Sequence, residues 1–150
     1  MKFLTFSFLA YIFFAITVSH AKPIQVLLLD GQNNHNWKAT TPVLVEALEA
    51  ENLCKITVST SPPKKSPKDA WVKWRPQFKK YDAVLTNYNG EMWPENLQKS
   101  LVDYVKNGGA FIVVHAANNA FSGWVEYNEM IGLGGWGGSC LLYTSDAADE

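Results

Sequence analysis

Gly108-Gly109-Ala110-Phe111-Ile112-Val113-Val114-His115-Ala116-Ala117-Asn118-Asn119 is the stretch that decides the fold. A helix commonly ends on a left-handed residue, and glycine adopts that conformation at least cost, so Gly108-Gly109 reads as a helix end. Ala110–Val114 follows without polar alternation. That is the pattern of a parallel strand covered on both faces, and it predicts a central, deeply buried strand. The apolar run stops abruptly at His115, two alanines, and the amides Asn118 and Asn119. Ligands of open α/β sheets bind beyond the carboxyl ends of the strands, so this polar edge is where chemistry is expected.

Moving outward, the same pattern recurs. Ile24–Leu29 is an apolar run of strand length that ends in Asp30-Gly31 and the polar loop Gln32–Trp37. Thr41 followed by Pro42 reads as a helix cap and first helical residue, although the start can lie a turn earlier, near Trp37. Leu44, Ala47 and Leu48 then fall on helical spacing. Cys54–Thr60 is a second strand, and Ser61–Lys68, with three prolines and three lysines, reads as a solvated loop. Ser66, Pro67 and Asp69 mark the capped start of a segment bearing Trp71 and Trp74. Ala83–Asn87 is a third strand, and after Pro94 the residues Leu97, Leu101, Tyr104 and Val105 give the clearest amphipathic helix. Trp124–Ile131 reads as a short helix, and Gly132–Gly138 as a glycine-rich loop carrying Trp136. Strands alternating with helices imply right-handed crossovers, hence an α/β three-layer sandwich with a mostly parallel sheet.

Both ends of the 150-residue chain are set apart from this domain. Met1–Ala21 has a basic start, an apolar run over Phe3–Val18 and the small-residue ending Ser19-His20-Ala21. It reads as a secretory signal peptide cleaved before Lys22, and the run is short of the roughly 20 apolar residues a membrane span needs. A secreted or periplasmic location, without a stable membrane anchor after cleavage, is the expectation. Cys140–Glu150 reads, codon for codon, as translated sequencing adapter, and Ser139 shares a codon with it. The expected domain is therefore residues 22–138, the N-terminal part of a longer, truncated protein. Setting aside Lys2 among 13 basic residues and Asp146, Asp149 and Glu150 among 14 acidic ones leaves about +1. No nucleic-acid partner is expected from so balanced a charge. Cys54 is then the one remaining cysteine, and its apolar strand makes it filler rather than nucleophile.

Three polar loops leave the carboxyl ends of strands. They offer Asp30, Asn34, His35 and Trp37; then Asn87, Tyr88 and Asn89; then His115, Asn118 and Asn119. Amides and carboxylates beside aromatic faces are what a sugar pocket requires, although Asp30 and Asn89 also suit plain turn roles. His115 and His35 are the candidate acid/base residues, with a structural role at a strand end as the alternative. The two imidazoles can also hold a divalent metal, but the sequence displays no third ligand. Trp124, Tyr127 and Trp136 fit either a pocket rim or the core. Gly134-Gly135 lacks the spacing of a phosphate loop, so no nucleotide cofactor is expected.

With these residues laid out, the chain resembles the ThuA-like (trehalose utilisation) family. The resemblance is carried by Asp30-Gly31 with Asn34-His35-Asn36-Trp37, by Thr40-Thr41-Pro42, and by Asn87-Tyr88-Asn89-Gly90. It continues through Gly108-Gly109, His115–Asn119, Phe121, Glu126–Gly132 and Gly135-Trp136-Gly137-Gly138. It implies a flavodoxin-like fold of the class I glutamine amidotransferase type. Where amidotransferases of that fold carry a cysteine in the turn after a central strand, this chain has His115-Ala116-Ala117, without a thiol or hydroxyl. The resemblance implies an exported protein acting on a disaccharide of the trehalose type or on an oxidised sugar derivative, its reaction left open. In that reading His115 and His35 are catalytic, and Asp30, Asn34, Trp37, Asn87, Tyr88, Asn118, Asn119 and Trp136 contact a small carbohydrate. The alternative is a non-catalytic carbohydrate-binding or accessory domain.

Overall fold

The computed structural model describes residues 22–132. Four parallel strands, β1 (Ile24–Asp30), β2 (Cys54–Thr60), β3 (Ala83–Thr86) and β4 (Ala110–Val113), form one sheet in the order β2-β1-β3-β4. Helices α1 (Trp37–Glu49), α2 (Lys68–Lys73), α3 (Glu95–Lys106) and α4 (Val125–Ile131) connect and follow them, as the alternating sequence pattern requires.

The alternation of β1 shows why the sheet is a middle layer. Val26 and Leu28 point to one face, with Ala83 and Leu85 of β3, and are covered by Leu44, Val45 and Leu48 of α1. Leu27 and Leu29 point to the other, with Val84, and are covered by Leu97, Leu101 and Tyr104 of α3 and Tyr127 of α4. The connection β1-α1-β2 crosses the sheet in one direction and β3-α3-β4 in the other. Right-handed crossovers running in opposite directions put their helices on opposite faces, which is the three-layer sandwich observed. The face under α3 and α4 is strongly aromatic: Tyr88, Trp93, Phe121, Trp124 and Tyr127 form a chain of ring contacts 5.0–6.1 Å apart.

Three expectations are corrected. Among the described residues Ala110–Val114 is not central: β4 pairs only with β3, and it is the buried β1 and β3 that fill the middle. Phe111 and Val113 pack inward while Ala110 and Ile112 are exposed, since no described element covers that face of β4. Apolarity alone does not distinguish a central strand from one covered on a single side. Thr41 does not cap α1. The helix starts at Trp37, Asn36 O accepts the amides of Ala39 and Thr40, and Pro42 lies inside. Thr41 is buried. Finally, α2 begins after Pro67 with no side-chain cap.

Gly31 sits where β1 and β2 end together, with φ of +118°. A Cβ there would meet Ser61 Oγ and lie 2.6 and 2.8 Å from Ser61 N and O. The Ser61 amide donates to Asp30 O across this point (2.8 Å), so the backbone has no room to yield. Gly108 has φ of +89° but open space around it. Gly31→Ala should therefore cost about 3 kcal/mol and Gly108→Ala about 1 kcal/mol, measured by urea unfolding. Equal losses would contradict the close-packed turn.

Burial raises the phenols of Tyr88 and Tyr127 well above the usual tyrosine range, and burial followed by the Asp82 charge raises Tyr104. A folded state that holds these protons more tightly than the unfolded chain keeps the full benefit below the unfolded value of about 10, and loses it as pH rises further. Melting temperature should fall steadily above pH 10. The Tyr88→Phe variant should show a shallower fall, and an unchanged alkaline limb in that variant would remove Tyr88 from this account.

Candidate functional site

The strand order reverses direction between β1 and β3, and the loops leaving them diverge there. This is the position at which open α/β sheets bind ligands. The loop after β1 is fixed by amide side chains. Asn33 Nδ2 donates to Asn87 O (2.8 Å) and Oδ1 (3.3 Å), while Asn33 Oδ1 accepts the His35 amide (2.9 Å). Asn87 Nδ2 donates in turn to Thr40 Oγ1 in the first turn of α1 (3.1 Å). Gln32 donates to Pro62 O (2.8 Å) and accepts the Glu91 amide (3.0 Å), tying in the loops after β2 and β3.

This scaffold brings His35 to His115, 80 residues away in sequence, with the two Nε2 atoms 3.2 Å apart. The rings are 4.7 Å between centroids and tilted by 40°. Both residues are exposed. His115 heads a turn of 3-10 helix, His115–Asn119, directly after β4, and has φ of +47°. A non-glycine residue in that region is strained, and such strain gathers at functional sites.

Two clefts share this imidazole pair. One, of about 370 Å³, is bordered by Ala116, Asn118 and Asn119. The other, of about 440 Å³, is bordered by Ala39, Thr40, Val43, Leu44, Asn87 and Val114 and is mostly apolar. The loop after β1 also borders a larger, polar cavity of about 580 Å³ that contains Asn34, Trp37, Asn89 and Lys64 but neither imidazole. That cavity is the larger, but the imidazoles line only the two smaller clefts.

The residues singled out from sequence thus divide. His35, His115, Asn118, Asn119 and Asn87 are brought together, while Asn34 and Trp37 line the neighbouring polar cavity. Tyr88 is withdrawn: its ring is fully buried, stacked 5.6 Å from Phe121, and its hydroxyl donates to Glu91 O (2.6 Å). Asp30 is also buried and lines none of these clefts, and its Oδ1 has no partner among the described residues. Trp124 and Tyr127 belong to the core, and Trp136 lies outside the described residues. Sequence reading missed Asn33 and Thr40. Their signal was adjacency, Asn33 to His35 in a run of amides and Thr40 to the true start of α1.

A hydrogen bond between the two Nε2 atoms requires one imidazole to carry its proton there and the other to accept, which leaves the donor's Nδ1 with a free lone pair. An Nε2 separation of 3.2 Å is also close to the about 3.3 Å between two ligands of a tetrahedral zinc ion. The described residues hold no cluster of three or more His, Cys, Asp or Glu around it. Their one cysteine, Cys54, is on β2 and lines none of these clefts. No helix of the described residues is long and apolar enough to cross a membrane.

The fold and strand order define a flavodoxin-like α/β protein with its polar site at the carboxyl edge of the sheet. A family profile described as ThuA, trehalose utilisation, matches residues 25–145, and the chain belongs to that family. The match reaches into the segment after residue 138 that was set apart above. The crystal structure of a protein described as ThuA-like from Parabacteroides merdae superposes with a TM-score of 0.72 at 40% identity, over 77% of this chain. The chain spans about 40% of the length of that protein. No match is found among curated proteins.

His115→Gly should relieve the positive φ and raise stability by about 1 kcal/mol, whereas His115→Ala should leave the melting temperature within a few degrees. Thermal unfolding of both variants checks this. A large loss in either would make His115 a structural residue.

Proposed function

We propose that this chain carries the proton-handling centre of an exported, sugar-active ThuA-family protein whose substrate is a trehalose-type disaccharide or an oxidised derivative of one. The observation that carries this reading is the 3.2 Å Nε2 contact between His35 and His115, two exposed residues held together by three separate strand ends. In it, the imidazole with the free lone pair accepts a proton from a sugar hydroxyl, or from the carbon beside the carbonyl of an oxidised sugar. That imidazole, now cationic, passes its Nε2 proton across the contact to the Nε2 of its partner, so that the positive charge is shared by the pair. Asn118 and Asn119 orient the sugar hydroxyls from the cleft wall, and Asn87 holds Thr40 and the first turn of α1 in place beside them. The neighbouring cavity with Asn34 and Trp37 accommodates the second sugar ring. Export rests on Met1–Ala21. A divalent metal held by His35 and His115 is compatible with the same geometry, and would polarise a sugar oxygen. Covalent acyl chemistry is disfavoured, because the turn after β4 carries His115-Ala116-Ala117 in place of a nucleophile.

The full-length protein should be incubated with trehalose and with its keto derivatives, and the products followed by mass spectrometry. Turnover is expected, and His35→Gln and His115→Gln should each lower kcat by 100-fold or more, to the order typical of a lost acid/base group. Binding without turnover by the wild type would favour a carbohydrate-binding domain. Full activity in both variants would end the proposal.

A further inference from the structure

The chain is near neutral as a whole, but its charge is unevenly placed. Seven of its 13 Lys and Arg residues fall within residues 64–80, against a single acid, Asp69. This segment is the crossover from β2 to β3, and it also carries Trp71 and Trp74. Between it and the start of α3 lies a concave pocket of about 480 Å³ that shares no lining residue with the histidine clefts.

The walls of this pocket are aromatic and its rim is cationic. Trp71 and Trp74, both half-buried, stand nearly perpendicular (75°) with centroids 5.8 Å apart. Trp74 is fixed from behind by a hydrogen bond from its Nε1 to Ser59 Oγ (3.0 Å) and by edge contact with Trp93. A wall held in place before binding loses little freedom when a ligand arrives. Arg75, Lys79 and Lys80 border the opening and are exposed, with no carboxylate among the lining residues. The two ion pairs of the described residues, Lys73–Asp69 and Lys99–Glu95, engage none of these three cations. Gln77, Asn96 and Ser100 add donors and acceptors.

From this juxtaposition we infer a second binding site, for an anionic oligosaccharide. The negative face of an indole attracts the slightly positive C–H face of a sugar ring. The amides and the hydroxyl meet its hydroxyl groups, and Arg75, Lys79 and Lys80 meet its carboxylates or sulfates. A concave, aromatic, small-volume pocket suits a few sugar units. A phosphate backbone would be met by a broad, continuous basic surface instead. The site is independent of the histidine chemistry, and it positions the protein on an acidic glycan.

Isothermal titration of the full-length protein tests this with four probes: a galacturonate hexamer, a sulfated heparin hexasaccharide, neutral maltohexaose and a single-stranded DNA hexamer. One or both acidic glycans should bind, the better one identifying carboxylate or sulfate as the recognised group. Binding should weaken with added salt, and about tenfold or more in the surface variant R75E/K79E/K80E. Trp71→Ala should lose a similar factor, and if that variant does not fold, the charge-reversal variant alone decides. Equal or tighter binding of maltohexaose or DNA, no acidic-glycan binding at millimolar concentration, or an affinity untouched by charge reversal would each overturn the inference. None of these outcomes depends on activity at His35 and His115.

Discussion

Parallel pairing of β1 with β3 is the constraint on which the rest of the structure depends. It places Val26–Leu29 against Ala83–Thr86 and makes both strands the buried centre of the sheet. It also sets β2 and β4 on opposite sides, so that successive crossovers travel apart. Two consequences follow from that divergence. The helices are distributed to both faces, and the loops after β1 and β3 leave a crevice between them. Asn33 and Asn87 then lock the crevice with side-chain bonds, which persist only because the strand register brings residues 54 positions apart into contact.

Strain and support are balanced at one position. His115 adopts a left-handed backbone directly after β4, where a glycine would be relaxed. Its neighbours hold it there: the Val114 amide donates to Thr86 O (2.9 Å), the Ala117 amide donates to Val114 O (3.0 Å), and buried Tyr127 donates its hydroxyl to Ala117 O (2.8 Å). The turn is thus anchored from the sheet on one side and from α4 on the other. Small Ala116 and Ala117 are fully buried, so only the imidazole and the amides after them reach solvent.

Much of this was legible in the sequence, for identifiable reasons. Strands announced themselves as apolar runs ending in polar loops, and parallel topology obliged those ends to face one side. Convergence of His35, Asn87 and His115 therefore followed from the fold. What was not legible depends on partners far away in sequence. The apolarity of Ala110–Val114 could not show that only one side of β4 is paired among the described residues. Tyr88 looked like a pocket residue because it follows a strand between two amides, yet its alternation turns it inward onto Phe121. Asn33 was overlooked because its importance lies in a bond to Asn87, and the basic character of residues 64–80 was hidden within a balanced total.

The separation of 80 residues between the paired imidazoles also bears on how the protein comes to be. Contacts between distant residues form late in folding, since loop closure must precede them. A nascent chain that has emitted β1 and α1 holds His35 as a solitary, fully solvated ring. The paired geometry arises only after β3 has joined β1 and β4 has docked beside it. Assembly of the sheet is thus what creates the imidazole pair, and a chain halted before β4 has docked lacks it.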